Sequence, residues 1–186
     1  MPFADVPPAA WFHDYVTFAY DRELMQGISA TLFAPKENLT RAMFATILWR
    51  MAGEPVPAEE LRLLDVSAGQ WYSEAIAWAH SEGIIAEMVD SDGFSPTDDI
   101  TREEMAYMMF RYAYFAGHDV SVYQTLEWAH FMDRHYVSDW AEDAMRWAVE
   151  NRIIIGTSVV TLHPHGTATR AQCATILVRY AETFEG

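Results

Sequence analysis

Thr169-Arg170-Ala171-Gln172-Cys173-Ala174-Thr175-Ile176-Leu177 decides how this chain folds, because its opening pair recurs at Thr40-Arg41 and Thr101-Arg102, each time ahead of an apolar run. A threonine in that place has the chemistry of a helix N-cap, since its hydroxyl can accept from a first-turn N–H that has no partner inside the helix. Thr101 with Glu104 and Thr169 with Gln172 have capping-box spacing, whereas Met43 has no group to reach back to Thr40. The runs continue as Met43-Phe44-Ile47-Leu48, Met105-Met108-Met109-Tyr112 and Ile176-Leu177-Tyr180, which follow helical spacing.

Around these helices the rest of a repeat falls into step. Phe33-Ala34-Pro35, Phe94-Ser95-Pro96 and Leu162-His163-Pro164 lie upstream, and Arg50, Arg111 and Arg179 close the runs; these marks advance by 61 and then 68 residues. Trp11/Phe18, Trp71/Trp78 and Trp140/Trp147 advance by 60 and then 69, and predict a first amphipathic helix per copy with both aromatics on one face. Gly27, Gly93, Gly156 and Gly166, with the prolines, break the chain between helices, and no strand-like alternation competes. The expected fold is all-α: three repeats, spanning 1–57, 58–118 and 119–186, in a pseudo-threefold cluster of helical hairpins. Six principal helices are expected, with the threonine-capped three at the centre. A unit of about 60 residues is marginal alone, so the repeats should share one core and behave as one cooperative module.

Composition narrows the function. A net charge of −15, from 27 acidic and 12 basic residues, disfavours nucleic acid, whose binding rests on neutralising phosphates. The chain has no run near 18 apolar residues, so no membrane span is expected, and Met1-Pro2-Phe3 enters the first repeat without a basic start or an apolar stretch. Any export signal is therefore expected outside this sequence. The lone Cys173 has no partner for an intramolecular disulfide and reads as a small buried hydrophobe. Acidic residues cluster at Glu82, Glu87, Asp90, Asp92, Asp98, Asp99, Glu103 and Glu104, read as a solvated face. Asp90-Ser91-Asp92-Gly93 begins like a calcium loop but lacks the later ligands. None of the seven histidines recurs with the repeat or pairs with a serine or cysteine at nucleophile spacing. His163-Pro164-His165 belongs to a turn, because Pro164 repeats Pro35 and Pro96. Neither catalysis nor a metal nor a cofactor is expected.

Phe131-Met132-Asp133, Ser138-Asp139-Trp140-Ala141 and Gly166-Thr167-Ala168-Thr169-Arg170-Ala171-Gln172, echoed in register in the other copies, resemble the S-layer homology domain over nearly the whole chain. The resemblance implies a three-pronged module that holds exported proteins on the bacterial cell surface. Its inter-repeat grooves would bind a secondary cell-wall polysaccharide ending in pyruvylated N-acetylmannosamine, and the chain would be fused to a larger exported protein. The family's motif arginine matches Arg41, Arg102 and Arg170. Its aspartate and aromatic positions match Asp5 with Trp11, Asp65 with Trp71 and Asp133 with Trp140.

That assignment is chemically reasonable. A helix N-terminus offers unpaired N–H groups, and an adjacent arginine offers a planar charged fork to the same carboxylate. Screening confines the opposing net charge to about 10 Å at 0.1 M salt. Two rival roles stand beside it: the arginines as ion-pair bridges between repeats, and the tryptophans as core or groove wall. Departures from the family pattern point to one or two inactive grooves. Glu23, Glu87 and Arg152 interrupt its Gly-Ile-x-x-Gly turn, and its last motif residue varies as Met43, Glu104 and Gln172. Arg102, amid the acidic cluster, is expected to welcome an anion least, and loss of an arginine is expected to spare the fold. The alternative function is a protein-interaction scaffold at the cell surface, suggested by the acidity and the interrupted turns.

Overall fold

Each repeated threonine caps a helix. The computed structural model describes residues 1–58, 63–123 and 125–186, and its helices are α1 (His13–Asp21), α2 (Arg41–Met51), α3 (Ser73–Ser81), α4 (Arg102–Phe115), α5 (Leu126–His130), α6 (Glu142–Glu150) and α7 (Arg170–Phe184). The hydroxyls of Thr40, Thr101 and Thr169 accept from the N–H groups of Met43, Glu104 and Gln172, each at 3.3 Å. Glu104 and Gln172 return the bond to the cap N–H at 2.8 and 2.9 Å, completing two capping boxes. The fold is all-α, and three isolated bridges are the only strand-like pairing among the described residues.

Those bridges mark the pseudo-threefold axis. The residues just before the threonines hydrogen-bond in a closed ring: the Leu39 N–H donates to the Ala168 carbonyl (2.9 Å), Ala168 to Ile100 (3.3 Å) and Ile100 to Leu39 (2.9 Å). All three are fully buried. One step on, the N–H groups of Arg41, Arg102 and Arg170 donate to the carbonyls of Asp98, Gly166 and Glu37, and those of Ala42, Glu103 and Ala171 to Pro96, Pro164 and Pro35. Every central helix therefore begins on the proline turn of the next repeat, and the third begins on the first.

Helix pairing corrects the expected hairpins. The first helix of a repeat does not pack chiefly on its own second helix; α3 packs on α2, α6 on α4 and α1 on α7. The segment joining the two helices of a repeat is committed to the ring and to the neighbour's cap, so the outer helix finds its apolar partner in the preceding repeat. Trp78 and Trp147 fill the core, and Trp147 stacks on Phe184 at the end of α7 with an interplanar angle of 12°. The seven extra residues between the second and third copies carry α5, beyond the six helices expected; its Trp128 is buried 5.4 Å beneath the Arg146 guanidinium.

Cys173 is buried, and burial pushes its thiol up to about 12. The acidic cluster is not one solvated face. Asp98 and Asp99 are exposed, but Glu103 and Glu104 are buried at the start of α4. Glu103 accepts from the N–H (3.0 Å) and hydroxyl (2.8 Å) of Ser138, tying the second repeat to the third.

Candidate binding grooves between repeats

Each aspartate singled out by the sequence grips a turn of its own repeat. Asp5 accepts from the N–H groups of Phe33 (2.9 Å) and Ala34 (2.7 Å), Asp65 from Phe94 and Ser95, and Asp133 from Leu162 and His163 (both 2.8 Å). The second residue of each turn, Ala34, Ser95 or His163, is left-handed with φ of 60, 52 or 56°. That conformation is costly for a side chain with a Cβ, and the carboxylate bonds hold it in place.

The same turns are held from the other side by the repeated arginines. Nε of Arg170 donates to the Phe33 carbonyl (2.9 Å), Nη1 of Arg41 to Phe94 (2.9 Å) and Nε of Arg102 to Leu162 (2.7 Å). One residue of each repeat thus lies between an aspartate of that repeat and an arginine of the preceding one. Nη2 of Arg102 and of Arg170 reaches a second carbonyl, on Ile155 and Gln26, each at 2.6 Å. Both side chains are buried; burial lowers their pKa values, opposed by Asp133 at Arg102 and by Cys173, Glu37 and then Asp5 at Arg170, yet arginine starts so high that it stays charged. Of the three, only Arg41 forms an ion pair among the described residues, with Glu104. The bridging arginines therefore act mainly through backbone carbonyls rather than through carboxylates.

The aspartate clamps carry a pH prediction. Burial alone would raise the Asp5 and Asp133 carboxyls, but bonds from their backbone donors outweigh it and hold both below the ordinary value. With the folded pKa the lower one, these clamps stabilise the protein fully above the unfolded value of about 3.9 and lose that contribution as pH falls through the folded value. Asp133→Asn should melt lower than the parent at neutral pH and show a flatter fall in Tm below about pH 5. A variant whose Tm tracks the parent through that range would assign the acid response to other groups.

The helix N-termini are not anion sites. Their first two N–H groups are bonded to the next repeat's turn and the third to the threonine, so the partial charge expected to help bind a carboxylate faces protein carbonyls. Anion recognition is left to side chains.

Those side chains meet in a groove of about 270 Å³ to which all three repeats contribute. Trp11 comes from the first, Arg102 from the second, and Ile155, Thr157, Gln172 and Arg179 from the third; no acidic residue lines it. The structure thus brings Trp11 to Arg102, not to Arg41 of its own repeat. The Arg179 guanidinium makes no hydrogen bond or ion pair among the described residues, and its charge is near enough to lower the pKa of Arg102. Trp11 is 63 % exposed and Trp71 60 %, because each precedes its helix and so leaves the buried face on which Trp78 lies. Trp140 is half-buried, edge-on to Tyr107 at 5.3 Å. Trp11 is groove wall and neither it nor Trp71 is core. Thr157 is a groove residue with no mark in the sequence, while Arg179 and Gln172 are legible only as repeat and capping positions, not as groove residues; the recurrence of Arg179 with Arg50 and Arg111 is the available signal.

Two of the interrupted glycine turns keep their shape. Glu23 and Arg152 take the left-handed conformation of Gly83, with φ of 59, 57 and 67°. Loss of glycine there costs strain without remodelling the turn.

A sequence model of the S-layer homology domain matches residues 2–45, 63–106 and 136–174, one match per repeat. Among similar proteins, an endoglucanase of Bacillus sp. (strain KSM-635) is 29% identical over 95% of this chain, which covers 18% of that protein. An exoglucanase of Acetivibrio thermocellus is 30% identical over 90% of the chain and 15% of its own length. An S-layer protein of Bacillus thuringiensis subsp. finitimus is 27% identical over 98% of the chain and 21% of its length. The chain spans about a fifth or less of these relatives, and what it shares with glucanases and S-layer proteins alike is the three-repeat module. Three family matches in register, on a ring whose three repeats use the same caps, clamps and arginines, show that this chain belongs to the S-layer homology domain family, a non-catalytic anchoring module of bacterial cell-surface proteins.

Proposed function

We propose that the chain anchors a longer exported protein to the bacterial cell wall by binding an anionic, pyruvate-bearing secondary cell-wall polysaccharide, of the pyruvylated N-acetylmannosamine type, between its repeats. The observation that carries this is the groove of Trp11, Arg102 and Arg179: two guanidinium groups and an exposed indole, with no lining carboxylate, on a protein of net charge −15. A guanidinium is suited to a carboxylate by charge and by its fork of donors. The indole and Ile155 offer apolar surface to the carbon face of a sugar. A groove of 270 Å³ is smaller than a drug-sized site and suits one terminal sugar rather than a length of chain.

Trp11 and Arg179 separate binding from folding, since the first is largely exposed and the guanidinium of the second has no hydrogen bond or ion pair among the described residues. A charge-assisted hydrogen bond contributes roughly 1.5–3 kcal/mol. Arg179→Gln should therefore weaken binding of a pyruvylated saccharide about tenfold or more in isothermal titration, and Trp11→Ala should weaken it too, both with unchanged Tm. The pyruvate-free saccharide should bind the parent at least as weakly as the pyruvylated form binds Arg179→Gln. Parent-like affinity in both variants would remove this groove from the site. A parent that ignores purified cell walls but captures isolated surface proteins would favour the interaction scaffold.

A further inference from the structure

We propose that the cavity beside α5 is a second sugar subsite, taking an N-acetylated hexosamine next to the terminal pyruvylated sugar; this rests on the proposed function and extends its site. The groove of Trp11, Arg102 and Arg179 has room for one sugar, so the rest of the polysaccharide must leave it. Ile154, Ile155 and Gly156 line that groove and also line a second cavity, of about 420 Å³. Leu126 and His130 of α5, Phe131, and Val149 and Arg152 around the end of α6 are its other walls. Ile155, 51 % exposed, is the ridge between the two. A sugar held by its carboxylate at Arg102 and Arg179 therefore has, across Ile155, a neighbouring cavity in the size range of small-molecule sites.

α5 is held as a fixed wall. The Thr125 hydroxyl caps it by accepting from the Trp128 N–H at 3.5 Å, buried Trp128 lies under Arg146, and Nη1 of Arg134 donates to the carbonyls of Ala129 (3.2 Å) and Phe131 (2.8 Å) at its end. Phe131, Val149 and Ile154 present only carbon to the cavity, which suits the carbon face of a pyranose and the methyl of an acetamido group better than a rim of hydroxyls. The polar groups are exposed: Arg152, His130 and one carboxylate, Glu127. Neither the Arg152 guanidinium nor the His130 ring makes a hydrogen bond or ion pair among the described residues, so both are available to the acetamido oxygen and to hydroxyls. The first repeat has a cavity at the corresponding place, with Phe3, Tyr20, Glu23, Gln26 and Gly27 where the third has Phe131, Val149, Arg152, Ile155 and Gly156. Its charged lining residues are Asp21 and Glu23, which oppose an anionic chain, whereas in the third repeat Arg152 balances Glu127. Of the two, the third-repeat cavity is the one that suits the glycan.

Isothermal titration with pyruvylated N-acetylmannosamine, alone and joined to a second N-acetylhexosamine, tests the subsite. The parent should bind the disaccharide about fourfold or more tightly, the gain from burying a single methyl group. A disaccharide whose second sugar is a plain hexose should gain less. Leu126→Ser combined with Arg152→Gly alters the cavity at two residues that do not line the groove. Leu126 is 87 % exposed, and glycine suits position 152, where φ is 57°, so the fold should be kept. This variant should bind the monosaccharide as the parent does and lose the disaccharide gain. In the parent, the methyl NMR signals of Val149 should shift with the disaccharide and stay in place with the monosaccharide. Monosaccharide binding with no gain from the second sugar, an equal gain from the plain hexose, a gain that survives in the double variant, or Val149 methyls that ignore the disaccharide would each overturn the subsite and leave the groove standing. A parent that binds neither saccharide would remove the glycan reading and the subsite together, and Val149 methyls that shift only with isolated surface proteins would make the cavity a protein site instead.

Discussion

A chain cut back to residues 1–118 is expected to lose its cooperative thermal transition altogether. The cut removes α6 and α7, the packing partners of α4 and α1. It also opens the central ring, since Leu39 donates to Ala168 and Ala168 donates to Ile100. The first N–H groups of α4 lose Gly166 and Pro164, buried Arg102 loses Leu162 and Ile155, and buried Glu103 loses Ser138. Leaving a buried polar group unsatisfied costs about 1–3 kcal/mol, more for a charged one, and whole domains are stable by only about 5–15 kcal/mol. The remaining segment should show reduced helical circular dichroism, exposed apolar surface and no sharp melt. A truncated chain melting at the parent's temperature would show that the first two repeats fold independently and that the ring is dispensable.

What the sequence made legible follows the range of the interactions. The threonine caps are decided within four residues, and all three lie where the spacing predicts, down to the capping box that Met43 cannot form. Helix pairing is decided between repeats, where periodicity has no say: a repeated amphipathic pattern states that a face is buried and leaves open against what. Trp71 and Trp78 sit seven apart, as residues on one helical face do, yet the helix starts between them at Ser73 and only the second is buried. The acidic setting of Arg102 is likewise resolved only between repeats. Its chain neighbour Glu103 turns to Ser138, while Glu104 crosses to Arg41, and neither lines the groove of Arg102. The repeated arginines were legible as special positions, but their bonds to Phe33, Phe94 and Leu162 go to backbone carbonyls, which carry no mark in a sequence.

Because of those bonds, Arg102→Ala is expected to lose stability and binding together, unlike the groove variants that lose binding alone. Its guanidinium is buried and holds the carbonyls of Leu162 (2.7 Å) and Ile155 (2.6 Å), while Asp133 holds the N–H of Leu162 from the other side. Removing it leaves two carbonyls short of a donor and a cavity at the seam between the second and third repeats. Two charge-assisted bonds at roughly 1.5–3 kcal/mol each give a loss of about 3 kcal/mol or more. At about 2–4 °C per kcal/mol for a chain of this size, Tm should fall by about 6–12 °C. Saccharide affinity, measured at a temperature where the variant is still folded, should fall at least tenfold, because Ile155 and Arg102 line the same groove. Asp133→Asn combined with Arg102→Ala should cost less than the sum of the two, since both act on the Leu162 turn. Parent-like Tm in Arg102→Ala would sink the clamp, and parent-like affinity in the folded variant would leave Arg102 holding the groove without touching what binds there.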